Sequence, residues 1–181
     1  MSEKKLYIFD LDNTLVEKWG VTPLPGVLMH LTTLEQNGCA IAIATNQAGI
    51  AWGALTKREQ FPTPASLGAR CIEIAQLLPP LQHAHWFIAI HDARVRLSAR
   101  RYTTLVAATE QTGEPLTLHV AAVPDWRKPQ PGMLITACER YNVTEDEAIF
   151  IGDMDADAEA AQTAGMDFVS AEEFFKTGES S

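Results

Sequence analysis

The sequence predicts an α/β fold: three layers built on a parallel sheet of about five core strands. Three observations carry this. Short apolar runs without internal alternation recur along the chain: Leu6-Tyr7-Ile8-Phe9, Cys39 to Ala44, the stretch with Trp86, Phe87, Ile88 and Ile90, and Ala148-Ile149-Phe150-Ile151. Strands buried on both faces need such runs. Helical stripes alternate with them, and most of the runs stop abruptly at polar or acidic residues. In an open parallel sheet those carboxyl ends converge on one edge, where ligands bind.

The chain has 181 residues, 46% of them hydrophobic, enough for one domain with a real core. The expected organisation is a single domain over 1–181, with 92–125 as an insertion whose structure the sequence does not specify. A formal net charge of -9 argues against a surface devoted to nucleic-acid backbone and suits a carrier of a divalent cation. Cys39, Cys71 and Cys138 are far apart, odd in number and set in apolar stretches. They read as buried free thiols in a reducing compartment. No apolar run approaches membrane-spanning length, and Met-Ser-Glu-Lys-Lys is no signal peptide core, so a cytoplasmic protein is expected.

The first strand delivers Asp10 at its end and Asp12 two residues later. In extended chain, residues two apart face the same side, so both acids can enter one pocket, where a cation relieves their repulsion. The same residues also suit an exposed turn. Val16 to Pro25 reads as a loop or small hairpin over the strand end, with Trp19 at its tip either covering a substrate or, more commonly, tucked against the domain. A helix is expected from about Gly26 to Asn37, with Val27, Leu31 and Leu34 on one face.

The second strand ends in Thr45-Asn46-Gln47, whose hydroxyl and amide groups can orient a phosphoryl oxygen without adding charge. A polar stretch through Lys57 and Arg58 leads to Pro62 and Pro64, after which Leu67, Cys71, Ile74 and Leu78 mark a helix. His83 to His91 is the third strand. His83, His85 and His91 lack another ligand at zinc-like spacing and read as core or surface histidines. Arg94, Arg96, Arg100 and Arg101 read as a solvated helix face, with an anion-binding rim as the alternative. Tyr102 to Glu110 has helical character, and Leu116 to Val123 is extended. Lys128 precedes a helix that starts near Pro131, placed to reach into a cleft. The fourth strand delivers Gly152-Asp153, Asp155 and Asp157 open a helix ending at Gly165, and Met166 to Ser170 is a short fifth strand. A helical turn follows around Phe174 and Phe175.

Asp10-Leu11-Asp12-Asn13-Thr14-Leu15, Thr45-Asn46-Gln47, Lys128-Pro129 and Gly152-Asp153-Met154-Asp155-Ala156-Asp157 stand in order across nearly the whole chain. Together they resemble the motifs of the haloacid dehalogenase (HAD) superfamily of phosphohydrolases. The resemblance implies a Rossmann-like three-layer sheet and a Mg²⁺-dependent phosphatase working through an aspartyl-phosphate. It implies Asp10 as nucleophile, Asp12 as general acid and then base, and Thr14 as the residue that positions the loop at the substrate. Thr45 and Asn46 would bind the phosphoryl group, and Lys128 would balance charge on it and on Asp10. The metal ligands would be Asp10, the Asp12 carbonyl and Asp153, with Asp157 behind them through water or Lys128. Asp155 would cap its helix.

Thr45 to Ile50 and Arg127 to Met133 look most like histidinol-phosphate, heptose-bisphosphate and polynucleotide 3'-phosphatases. The first two typically carry a Cys/His zinc loop just before the lysine, where this chain has Ala121-Ala122-Val123-Pro124-Asp125. That departure argues against zinc and against those two substrates. The segment between Gln47 and Lys128 must already supply a helix and a strand, so no large cap domain is expected. An open site of this kind takes a phosphorylated small molecule, or alternatively a phosphorylated nucleic-acid end. No P-loop is present, which excludes an attached kinase. A non-catalytic phosphate- or partner-binding protein on the same scaffold is the remaining alternative.

Overall fold

The computed structural model describes residues 4–90, 92, 101–108 and 115–176. Its central strand is β1 (Leu6–Phe9), whose side chains alternate between two apolar clusters: Leu6 and Ile8 enter one, Phe9 the other. This is the period-two geometry of a strand, and with both faces apolar the sheet must be covered on both. On the Phe9 side, α1 (Val27–Gln36) contributes Val27, Leu31 and Leu34, and α3 (Pro64–Leu77) contributes Leu67, Cys71 and Ile74. On the Ile8 side, α4 (Gly132–Tyr141) contributes Met133, Leu134 and Ala137, and α5 (Asp155–Ala164) contributes Ala160 and Ala161. Truncating any large buried member, such as Phe87, costs about 3–5 kcal/mol.

β1 pairs in parallel with β2 (Ala40–Asn46) on one side and β6 (Ala148–Gly152) on the other. Beyond β2 lie β3 (His85–Ala89) and β5 (Pro115–Ala121), and beyond β6 lies β7 (Asp167–Ser170), all parallel to their neighbours. With β4 (Arg101–Ala108) at the edge, the sheet order is β4-β5-β3-β2-β1-β6-β7. The chain runs outward from β1 and then returns across the sheet to β6, so the order reverses at β1. The carboxyl ends of β1, β2 and β6 therefore frame a crevice.

The five expected strands are all present, and the extended segment that begins at Leu116 adds β5 as a sixth parallel one. Two expectations fail. The helical reading of Tyr102 to Glu110 gives way to β4, antiparallel to β5 from Arg101↔Ala121 to Ala108↔Pro115 with a register shift after Tyr102. Its Tyr-Thr-Thr-Leu-Val sequence is β-branched and aromatic, and pairing it covers the otherwise open edge of β5. Residues 109–110 lie outside the described residues. The stretch before Lys57, read as polar and given no helix, forms α2 (Gly49–Thr56), an apolar helix that buries Ile50 and Ala51. Downstream, Thr63 and Ser66 make a reciprocal cap and Pro64 occupies the first turn, which fixes where α3 begins. A short helix, α6 (Ala171–Lys176), lays Phe174 and Phe175 against Phe9. Arg94, Arg96 and Arg100 and His91 lie outside the described residues, as does the side chain of Arg101.

Candidate active site

Asp10 follows β1 directly, its N–H donating to the Ile151 carbonyl of β6 at 2.8 Å. At the paired ends of these two parallel strands the Asp10 carboxyl is buried, and Lys128 meets it there. The Lys128 ammonium donates to Asp10 Oδ1 at 2.6 Å and to the Ala44 carbonyl at 2.9 Å, and pairs with Asp157 Oδ1 at 2.7 Å. Three donors thus find three acceptors, the condition for holding an ammonium away from water. The Phe150 ring lies 5.2 Å from Nζ and supplies a fourth contact.

Burial pushes the Asp10 carboxyl up to about 6; Lys128 opposes the rise and the Asp157 charge adds to it. Burial alone would lower Lys128, but Asp10 and Asp157 outweigh it, and its pKa is raised.

Lys128 is held from behind by Asn46. Its N–H donates to Asn46 Oδ1, and Asn46 Nδ2 donates to the Lys128 carbonyl, both at 3.1 Å. Asn46 therefore spends its amide on the lysine's backbone. Asp157 is locked by a bond from the Met154 N–H to its Oδ2 at 3.1 Å. A Cβ at residue 152 would sit 2.5 Å from that oxygen, so only glycine lets Asp157 pack over the end of β6. The expected cap by Asp155 is not seen: Asp155 is the exposed first residue of α5, and Asp157 provides the capping oxygen.

Asp153 lies in the turn after β6, where Asn13 Nδ2 reaches its Oδ2 at 3.3 Å. Carboxylate oxygens of Asp10, Asp153 and Asp157 lie within 4.8 Å of one another. Burial raises the Asp153 pKa, and the neighbouring Asp157 adds to the rise. Three carboxylates facing one ammonium leave negative charge unbalanced, and the donors are hard oxygens of the kind that hold Mg²⁺.

Asp12 is not in that trio. Its Oδ1 accepts from the Trp19 N–H at 2.7 Å and from Arg70 Nη2 at 2.7 Å, and its Oδ2 accepts from Gln47 Nε2 at 2.8 Å. The same Gln47 nitrogen reaches Thr45 Oγ1 at 3.1 Å. Thr14 is fully buried, and among the described residues its Oγ1 is a buried side-chain oxygen with no hydrogen-bond partner. Trp19 is not tucked in: it is 77% exposed, because its N–H is tied to Asp12 and its φ of 63° turns the chain at the loop tip. Sequence reasoning missed the roles of Arg70 and Gln47. Arg70 adjoins the Leu67, Cys71, Ile74 stripe of α3, and a charge flanking a buried stripe was the available signal.

No helix among the described residues is long and apolar enough to cross a membrane. All three cysteines are free; Cys71 and Cys138 are buried and Cys39 is half-buried.

Residues 125–173 match the model of the HAD-hydrolase-like family. Over 178 residues the chain is 31% identical to the D-glycero-beta-D-manno-heptose-1,7-bisphosphate 7-phosphatase of Pseudomonas putida, covering 89% of this chain and 78% of that protein. It is 32% identical to the phosphatase of the same name from Pseudomonas aeruginosa, covering 81% of this chain and 64% of the relative. The fold is similar to the crystal structure of D,D-heptose 1.7-bisphosphate phosphatase from B. bronchiseptica complexed with magnesium and phosphate. That match has a TM-score of 0.66 and 22% identity, and covers 97% of this chain and 87% of the other. With four motif segments meeting at the β1, β2 and β6 ends and a relative of this length and identity, the chain belongs to the HAD superfamily of phosphatases.

Proposed function

We propose that the chain is a Mg²⁺-dependent phosphomonoester hydrolase that acts through an aspartyl-phosphate on Asp10. The observation that carries this is the buried Lys128 ammonium bridging Asp10 and Asp157 at the head of β1, with Asp153 beside them. An Asp10 oxygen attacks phosphorus, and the bond to the leaving oxygen breaks as Asp12 gives that oxygen its proton. Water then attacks the acyl phosphate while Asp12 takes a proton from it. The bond from phosphorus to Asp10 breaks, and inorganic phosphate leaves with the carboxylate restored. Lys128 balances the charge on Asp10 and on the phosphoryl oxygens. Thr45 and the Thr14 hydroxyl, which has no partner among the described residues, serve phosphoryl recognition, and Asn46 serves it by fixing Lys128. The Asp10 and Asp153 carboxylates and the Asp12 carbonyl would hold Mg²⁺, which would supply further positive charge against the phosphoryl oxygens. Asp157 acts through Lys128.

The substrate is a phosphorylated small molecule. The names of the two Pseudomonas relatives make a heptose bisphosphate the first compound to test, despite the absence of the zinc loop. Mg²⁺-dependent hydrolysis of an aryl phosphate is expected, and Asp10→Asn is expected to reduce it to background. Activity that survives this change rejects Asp10 as nucleophile. In a panel of sugar phosphates, nucleotides and 3'-phosphorylated oligonucleotides, the sugar phosphates are expected to turn over fastest, and a faster oligonucleotide would move the substrate to nucleic-acid ends.

A further inference from the structure

We propose that Arg70, from the middle of α3, is a positioning residue that fixes Asp12 for proton transfer by tying its carboxylate to the tip of the 16–25 loop. Its Nη2 donates to Asp12 Oδ1 at 2.7 Å while its Nε donates to the Gly20 carbonyl at 2.9 Å. One planar guanidinium therefore joins the acid to the loop, a geometry that an ammonium reproduces only in part. The loop closes the triangle from its own side, since the Trp19 N–H reaches the same Oδ1. Gln47 holds Oδ2, so both oxygens are fixed and the carboxylate plane with them. Both charged side chains are largely withdrawn from water, Arg70 with 15% and Asp12 with 16% of the side chain exposed.

The inference rests on Asp12 being the general acid. It follows that proton delivery depends on where α3 sits, although α3 contributes nothing to the Asp10, Lys128 and Asp153 cluster. A leaving group that needs a proton will feel the loss of Arg70, and one that departs as a stable anion will feel it much less.

The experiment compares kcat/KM for a hexose phosphate, a poor leaving group, with that for 4-nitrophenyl phosphate, a good one. General acids contribute about 10²- to 10⁴-fold, and a displaced one loses part of that, so Arg70→Met is expected to slow the hexose phosphate about 10- to 100-fold. The aryl ester should slow by a much smaller factor, with KM for both close to wild type. Arg70→Lys should recover part of the loss. The double variant Asp12→Ala with Arg70→Met should be no slower on the hexose phosphate than Asp12→Ala alone.

Equal losses on the two esters, or additive losses in the double variant, would overturn the proposal. If Arg70→Met does not fold, Arg70→Lys decides by the same ratio of the two esters. The two readings fail separately. An Asp12→Ala variant without a selective loss on the hexose phosphate removes the acid assignment itself. A selective loss in Asp12→Ala with wild-type behaviour in Arg70→Met removes only the role of Arg70.

Discussion

Asp10 and Asp12 are two residues apart and live in different surroundings. The wall around Asp10 is made of strand ends and short turns: its cation is buried, three acceptors surround one ammonium, and Phe150 closes the far side. The wall around Asp12 is made of a loop tip, a glutamine and a helix, and its cation keeps some contact with solvent. The first depends on one ion, since without Lys128 the Asp10 and Asp157 carboxyls are buried with no cation between them. The second can lose one donor and keep two. On the proposed reading a nucleophile must stay where in-line attack needs it and a proton donor must have its carboxylate oriented, and the two walls hold their carboxylates by different means.

The contrast is tested most strongly at Lys128. Replacing it by Met leaves the Asp10 and Asp157 carboxyls buried without their cation, a change expected to cost about 3–5 kcal/mol of stability. The same replacement at Arg70 is expected to cost only about 1–2 kcal/mol, since Gln47 and the Trp19 N–H remain on Asp12. Urea unfolding of both variants at neutral pH gives the comparison, and equal costs would erase the distinction between the walls.

A smaller effect is expected at Asn46. Asn46→Ala removes two bonds to the Lys128 backbone and leaves that N–H and carbonyl to find other partners, at about 1–3 kcal/mol. Lys128 keeps its charge and its bond to the Ala44 carbonyl but loses the hold of Asn46 on its backbone. Turnover should therefore fall while Asp10 stays reactive, with a lower kcat on aryl and alkyl esters alike. A selective loss on alkyl esters would place Asn46 on the Asp12 side instead.

The two walls also differ in how far the sequence discloses them. Asp10, Lys128, Asp153 and Asp157 each stand at the end of an apolar run or at the start of a helix, where local pattern fixes position along the chain. Gly152 stands directly beside Asp153, and its need for a missing side chain becomes visible only when Asp157 is seen 2.5 Å from where a Cβ would be. Arg70 is separated from Asp12 by 58 residues and sits inside a helix whose apolar stripe attracts the eye. Its partner is fixed by how α3 docks on the sheet, which is a property of packing. The same limit applies to β4. Its pairing with β5 decides its form, and a strand at a sheet edge takes that form from its neighbour more than from its own residues.

Both walls can be compared by rate only where the fold holds, and a histidine pair on β3 and β5 is expected to weaken the fold on the acid side. His119 on β5 stacks on His85 of β3 with ring centroids 5.1 Å apart, and Nε2 of the first faces Nδ1 of the second at 2.9 Å. Burial lowers His119 to about 4, helped by the charges of His85 and Arg140, and burial likewise lowers His85. An unfolded histidine takes up its proton near pH 6.5, whereas folded His119 refuses one until about 4. Between those values the unfolded chain binds more protons, so the contribution of this site to stability is present above pH 6.5 and is lost as the pH falls through the window. His119→Phe keeps the stacking on Phe87, whose ring lies 4.8 Å away at 11°, and removes the titration. Melting temperatures measured from pH 7.5 to 4.5 should fall less steeply in this variant than in the wild type. Parallel curves would show that the acid sensitivity lies elsewhere, and the rate comparison of the two walls would then need its own lower pH bound.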